Sequence, residues 1–376
     1  MKRLKVCPLL FTIIMALSVG SCAGDESNGS SEAGAVSEFE YITLSELPGD
    51  IETAKSGSYQ TFRIGNHINV NIPEKISELH IKGEPVTEEL IEELTEHYGV
   101  VNKDQISVDK DPHAENYIDY RTDTSQFTIG KIGCISCFPH IDVYKHDTES
   151  KYLRKTVFFN SAEKGLTVTY NGIIHSVSEL AERSKAAINE FQAQINGFEC
   201  IPVKFYYENQ RAVVSCARIV RGYYRPFCAA SIDLERITPE TEDFVGMDAP
   251  CRVFFQDGTE PIGFCDDWWE TSAEYITGYD KMISMTSALK YLDKQLAQYI
   301  DLDMDHACIV QLQKDHEVRL MDEEEFYNQD FTKQILDLET HPFWQFIFHS
   351  QYSEDDRYIA IIDCITGKFS FSSYAI

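Results

Sequence analysis

Apolar and polar positions alternate with two different periods along this chain, and the periods mark out strands and helices. Residues 66–83, NHINVNIPEKISELHIKG, alternate in parts and read as strands. Thr87-Glu88-Glu89 then opens a helix. Threonine is a good N-cap, and acids suit a first turn. Leu90, Ile91, Leu94 and Tyr98 form its apolar stripe, and Gly99 ends it. KTVFFN and LTVTYNGIIHSV read as a strand pair. Ser178 caps a second helix with Glu179 in its first turn. Leu180, Ala187, Ile188 and Phe191 lie along one side, and Gly197 stops it.

PVKFYYE, RAVVSCARIVRGYYRPF and APCRVFFQDGTEPIGFCDD are β-rich, and Asp257-Gly258 is the dipeptide of a hairpin turn. A third helix spans about Ser284–Tyr299, with Leu289, Leu292, Leu296 and Tyr299 on one stripe. Strands follow at HACIVQLQ, PFWQFIFHS and RYIAIIDCITGKFSF. Helices and strands alternate without βαβ spacing, and no period of 20–50 residues marks a solenoid. The expected class is α+β: antiparallel curved sheets with helices packed on one face. The expected division places an N-terminal α+β domain at 39–200 and a C-terminal one at 201–376.

The first forty residues follow a different pattern. Lys2, Arg3 and Lys5 precede an apolar run from Cys7 to Val19. A membrane-spanning helix needs about 20 apolar residues, so this run has the length of a secretory signal instead. It ends in Val19-Gly20-Ser21-Cys22, a branched apolar residue, two small residues and cysteine. That is the lipobox pattern, in which the Cys22 thiolate takes a diacylglyceryl group. Two acyl chains suffice for stable anchoring. The expectation is a signal peptide at 1–21 and a lipidated Cys22 on the extracytoplasmic face of the cell membrane. The plainer alternative is a cleaved signal with a chance cysteine. AGDESNGSSEAGAVSE follows, too polar to bury a core, and 22–38 reads as a tether.

Charge narrows the partners. The chain carries 33 Lys and Arg against 61 Asp and Glu, a net charge of −28. Phosphate backbones would repel such a surface, so nucleic acid is excluded as an expected partner. Beyond Cys7 and Cys22 nine cysteines remain, an odd number that cannot all pair within one chain. Some are therefore expected to be buried thiols.

Candidate chemistry is sparse. Cys134 and Cys137 form a CxxC with His140 and His146 nearby, but Pro139 and the β-like flanks place the pair on a strand or turn. A redox cysteine favours a helix N-terminus. Asp301, Asp303 and Asp305 mimic the start of a calcium loop, yet positions six and twelve are His306 and Leu312 where glycine and glutamate are needed. A polar helix end is the expectation there. Asp266-Asp267-Trp268-Trp269-Glu270 places acids beside aromatics, as a sugar site would. Packing of Trp268 and Trp269 at a seam is the competing reading. Asp322-Glu323-Glu324-Glu325 reads as a solvated turn. There is no GxSxG, HExxH or P-loop. No catalytic residue, metal ligand or cofactor is expected beyond the covalent lipid.

His341-Pro342-Phe343-Trp344-Gln345-Phe346, followed by Tyr358-Ile359-Ala360-Ile361-Ile362-Asp363-Cys364-Ile365-Thr366-Gly367-Lys368, resembles the ending of extracytoplasmic lipoproteins of clostridia-type bacteria, a domain of unknown function. It is more loosely similar to the last strands of PepSY-like domains and of membrane-anchored regulators of the YycH/YycI kind. Cys364 stands where that pattern commonly has alanine. The resemblance implies two edge strands after the third helix and no catalytic residue. The expected function is a non-enzymatic, membrane-anchored lipoprotein that binds or regulates a protein partner at the cell surface. The alternatives are a thiol-disulfide protein using Cys134 and Cys137, or a glycan-binding or glycan-cleaving module using Trp268 and Trp269.

Overall fold

Three times along the chain a hydroxyl-capped helix is followed by four antiparallel strands in a meander. A computed structural model describes residues 39–65, 68–84, 86–98, 107–109, 117–121, 125–130, 134–139, 157–159, 165–170, 172–208, 211–225, 251–255, 258–266, 270–297, 301–313 and 337–374. The chain first lays down β1 (Tyr41–Ile42), α1 (Leu47–Lys55), β2 (Phe62–Arg63) and β3 (Ser77–Lys82). The first unit is α2 (Glu88–His97), β4 (Ser107–Asp109), β5 (Tyr117–Arg121), β6 (Ser125–Gly130) and β7 (Cys134–Pro139). Next come β8 (Val157–Phe158) and the hairpin of β9 (Thr167–Tyr170) and β10 (Ile173–Ser176). The second unit is α3 (Val177–Gln194), β11 (Cys200–Glu208), β12 (Arg211–Val220), β14 (Cys251–Phe255) and β15 (Gly263–Asp266), with β13 (Tyr223–Tyr224) interposed. After β16 (Ser272–Gly278) and β17 (Met282–Ile283) comes the third unit. It is α4 (Met285–Gln295), β18 (Leu302–Gln313), β19 (Asp337–Ser350), β20 (Ser353–Asp363) and β21 (Phe369–Tyr374).

Each unit's helix starts for the same reason. The Thr87 hydroxyl accepts from Leu90 N at 3.2 Å, Ser176 from Glu179 N at 3.4 Å and Ser284 from Ser287 N at 3.0 Å. These bonds satisfy backbone donors that a helix leaves unpaired. The cap of α3 is thus Ser176, two residues before the expected Ser178, which instead sits in the first turn.

The first two meanders form one antiparallel sheet in the order β4-β5-β6-β7-β15-β14-β12-β11-β8. They meet last strand to last strand, with Phe264 opposite Cys137 and Asp266 opposite Ile135. The second sheet centres on β18 and β19, with Ala307 opposite Phe346. The outer edge of β18 pairs in parallel with β2 at Phe62 and with β13 at Tyr224. The outer edge of β19 is shared by β3 and β20, which carry β16 and β21 respectively. The pairing is mostly antiparallel, as expected. β18 and β19 are the centre of this sheet rather than its edges, which corrects the expectation of two edge strands. The sequence division at 200/201 falls at the start of β11, and residues 39–376 form one compact unit.

Three apolar clusters hold the layers. Helices α2 and α3 press Ile91, Leu94, Leu180, Ile188 and Phe191 onto one face of the first sheet. Helices α1 and α4 press Leu47, Ile51, Leu289 and Leu292 onto Ile309, Trp344, Phe346 and Ile362 of the second. Between the sheets, Phe158, Val203 and Ala217 meet Val310, Phe343, Ile347 and Ile359. Strands β18–β20 are therefore covered on both faces, which explains their nearly unbroken apolar runs.

Candidate functional site

The chemistry-bearing groups that the fold brings together lie where β3, β19 and β20 meet. Glu78 on β3 is buried. His341 on β19 stands between it and Asp363 at the end of β20. His341 Nδ1 is 3.0 Å from Glu78 Oε1, and His341 Nε2 is 3.0 Å from Asp363 Oδ1. The Tyr279 hydroxyl donates to Glu78 Oε1 at 2.8 Å, and its ring stands edge-on to the imidazole at 5.8 Å. On the neighbouring residue, the Thr340 hydroxyl is bonded to Gln311 Oε1 at 2.7 Å.

Asp363 has a second task. Its Oδ1 accepts from Ile365 N at 2.7 Å and Thr366 N at 2.9 Å, and its carbonyl accepts from Gly367 N at 3.0 Å. It thus organises the turn from β20 to β21. Burial works to raise the Asp363 pKa, but the hydrogen bonds from His341 and the two backbone N–H groups outweigh it, and the pKa is lowered. Burial, then the neighbouring Glu78 carboxylate, raises the pKa of Tyr279. A histidine with both ring nitrogens held by carboxylates lacks the open nitrogen a general base needs. The arrangement is suited to locking three strands rather than to proton transfer.

A second centre lies beneath α3. Arg218 and Asp266, each fully buried, form an ion pair, and Gln192 of α3 also bonds Asp266. The thiols of Cys200 and Cys251 approach to 3.4 Å. Cys216 stands opposite Cys251 in the sheet. Burial pushes the Cys200 and Cys216 thiols well up. Reactive thiols need the reverse. A third buried pair joins Arg225 Nε to Glu270 Oε1 at 2.7 Å.

These pairs place the sequence candidates. Asp266 and Glu270 are each bound to an arginine in the interior, so they do not face a groove as a carboxylate pair. Asp267, Trp268 and Trp269 lie outside the described residues. Cys134 and Cys137 lie on β7. Three residues along a strand separate Cα atoms by about 10 Å, beyond the roughly 4.4–6.8 Å of a disulfide. His140, His146 and residues 322–325 are outside the described residues, as are Cys22, the signal segment and the tether.

Asp303 and Asp305 belong to strand β18, not to a helix end, which corrects that reading. Asp305 sits where the register with β19 shifts. His349 Nδ1 is 2.8 Å from Asp305 Oδ1, and Arg357 bonds its other oxygen. Among the described residues no group of three or more His, Cys, Asp or Glu is arranged to hold a metal. No described helix is long and apolar enough to cross a membrane.

The Glu78–His341–Asp363 network had no sequence reading. Two of its members, however, stand in the quoted ending, His341 before Pro342-Phe343-Trp344 and Asp363 before Cys364. The structure joins the two halves of that motif. Cys364 N donates to the Pro342 carbonyl at 3.0 Å, and Trp344 Nε1 to the Ile283 carbonyl at 2.8 Å.

No family model matches this chain, and no curated protein matches it in sequence. Among solved structures it is similar to an uncharacterized protein from Eubacterium rectale, a clostridial bacterium. The identity is 12% and the TM-score 0.49, over 82% of this chain and 90% of that one.

Proposed function

We propose that this chain is a membrane-anchored extracytoplasmic lipoprotein that acts by binding or regulating a protein partner, not by catalysis. The observation that carries the reading is the junction at the start of the fold. Val19-Gly20-Ser21-Cys22 has the lipobox pattern, a polar segment follows, and the compact unit begins at Phe39. A lipid on Cys22 and a tether of that composition present the folded body at the membrane surface. The resemblance of the 341–368 ending to clostridial lipoproteins and PepSY-like regulators agrees with it.

The described charged centres support a non-catalytic role. The imidazole of His341 is held on both sides, Asp266 and Glu270 are bound to arginines, and the Cys200 and Cys216 thiols are buried with raised pKa values. Each is placed to hold strands together.

In-cell crosslinking of the full-length protein, with mass spectrometry of what it captures, tests the partner. A dominant membrane or surface protein, lost when the body is deleted but the anchor kept, is expected. Capture of no specific protein from cells holding abundant lipidated chain would overturn the reading.

A further inference from the structure

We infer that Cys216 and Cys251 are a disulfide site, joined across β12 and β14 when the chain folds in the presence of a disulfide oxidant. Three thiols, Cys200, Cys216 and Cys251, share the apolar cluster beneath α3. Cys216 of β12 stands directly opposite Cys251 of β14 in the antiparallel register. Directly opposite residues of an antiparallel pair share a face, with Cα atoms about 4.5–5.5 Å apart. That lies inside the roughly 4.4–6.8 Å of a disulfide. Among the described strand pairings no other two cysteines are opposite one another. Cys200 pairs with Arg218, Cys265 with Arg252 and Ser136, and Cys308 with Gln345.

Cys200 is the competing partner, and the strand order argues against it. Its Sγ is 3.4 Å from that of Cys251, the contact of two thiols. But β12 runs between β11 and β14. Two strand spacings separate those backbones by roughly 9 Å, too far for a bridge unless a strand moves. Cys200 therefore packs beside the site as an apolar neighbour.

The bond has to form before the core closes. In the folded protein Cys216 and Cys251 are fully buried, and burial pushes the Cys216 thiol up, away from the thiolate that attacks. Before α3 docks, a Cys251 thiolate attacks one sulfur of a small-molecule disulfide, forms a mixed disulfide and releases one thiolate. The Cys216 thiolate then attacks the Cys251 sulfur and releases the second. Two protein thiols are oxidised, one disulfide is reduced to two thiols, and the two protons pass to the released thiolates. Leu180, Ile188 and Phe191 of α3 then cover the bond. A chain folded in reductant keeps all three thiols. The proposed extracytoplasmic location enters only as the source of the oxidant.

Residues 39–376, the compact unit, are denatured in reductant and refolded with or without a glutathione redox couple. Remaining thiols are blocked in denaturant, and the peptides are mapped by mass spectrometry without reduction. The expected product has Cys216 linked to Cys251 and Cys200 blocked. Its urea midpoint lies above that of the chain refolded in reductant, because the crosslink restricts the unfolded chain. Cys200→Ala keeps that shift and Cys216→Ala removes it. Cys216 and Cys251 both blocked in the refolded protein, or Cys251 linked to Cys200, overturns the inference. If a variant does not fold, the peptide map of the unaltered chain decides alone. The test supplies its own oxidant, so it stands or falls apart from where the protein resides in the cell.

Discussion

His341 Nε2 lies 3.0 Å from Asp363 Oδ1, joining the start of β19's buried stretch to the end of β20. The same carboxylate holds the turn that leads to β21. Removing that oxygen leaves a buried imidazole nitrogen and the Ile365 and Thr366 N–H groups without their acceptor. Asp363→Ala is therefore expected to cost about 3 kcal/mol, the scale for leaving buried polar groups unsatisfied. Glu52, whose partner Lys55 lies one helical turn away at the surface, gives the contrast. Glu52→Ala is expected to leave the urea midpoint unchanged. Equal effects would remove the special place given to His341 and Asp363.

His306 and Asp363 both contribute to the acid side of stability. Burial pushes the His306 pKa down to about 3. Its imidazole stays neutral in the fold while the unfolded chain binds a proton near 6.5. Stability therefore falls as pH drops from about 6.5 towards about 3, by up to about 1.4 kcal/mol per unit from this residue. Asp363, with a lowered pKa, contributes stability above the ordinary carboxylate range and loses it as pH falls through its folded value. His349 runs the other way. The Asp305 hydrogen bond raises its pKa against burial, so its contribution is present below its unfolded value and lost as pH rises through the folded one. Urea midpoints from pH 3 to 9 should show a shallower acid slope in His306→Phe than in the parent. Parallel curves would contradict a neutral, buried His306.

Thiol accessibility follows from burial. Cys200, Cys216 and Cys251 are fully buried, whereas Cys265 is half-buried. In the native protein a thiol reagent should modify Cys265 before these three, which react promptly only in denaturant. Mass mapping of the modified peptides over time gives the order. Early loss of Cys200 or Cys251 would mean that α3 lifts from the sheet in the native state.

Two glycine substitutions should move stability in opposite directions. Gly367 has φ +77°, and a Cβ there would stand 2.3 Å from the Phe39 ring. Gly367→Ala is expected to cost about 2 kcal/mol or more. Gly49 lies in α1, where a Cβ meets nothing within 4 Å. Gly49→Ala should add about 0.5–1 kcal/mol by reducing the freedom of the unfolded chain. Thermal melts of the two variants read both signs.

Local signals made the three unit helices legible. Thr87 caps as read, the third helix begins beside the expected Ser284, and Leu94, Ile188 and Leu292 face the cores their spacing assigns. The Asp257-Gly258 signal does separate two paired strands, β14 and β15. Helix α1 had no reading, because Pro48 and Gly49 resemble a turn although proline is tolerated in a first helical turn. Asp301–His306 resembled a loop because its acids alternate with apolar residues, and that alternation is the strand β18 itself. The order of the strands was out of reach, since β7 meets β15 and β3 meets β19 across long stretches of chain. The Glu78–His341 contact spans 263 positions, and no local spacing encodes it.

The most direct test of the account is the fate of Cys22. Cells producing the full-length chain or its Cys22→Ala variant are fractionated, and the mature N-terminus is weighed by mass spectrometry. The account predicts a membrane-bound protein whose first residue is Cys22 with a diacylglyceryl mass, and a variant that leaves the membrane fraction or keeps its signal uncleaved. A mature chain that begins elsewhere, or an unlipidated Cys22 in a protein free of the membrane, would contradict it.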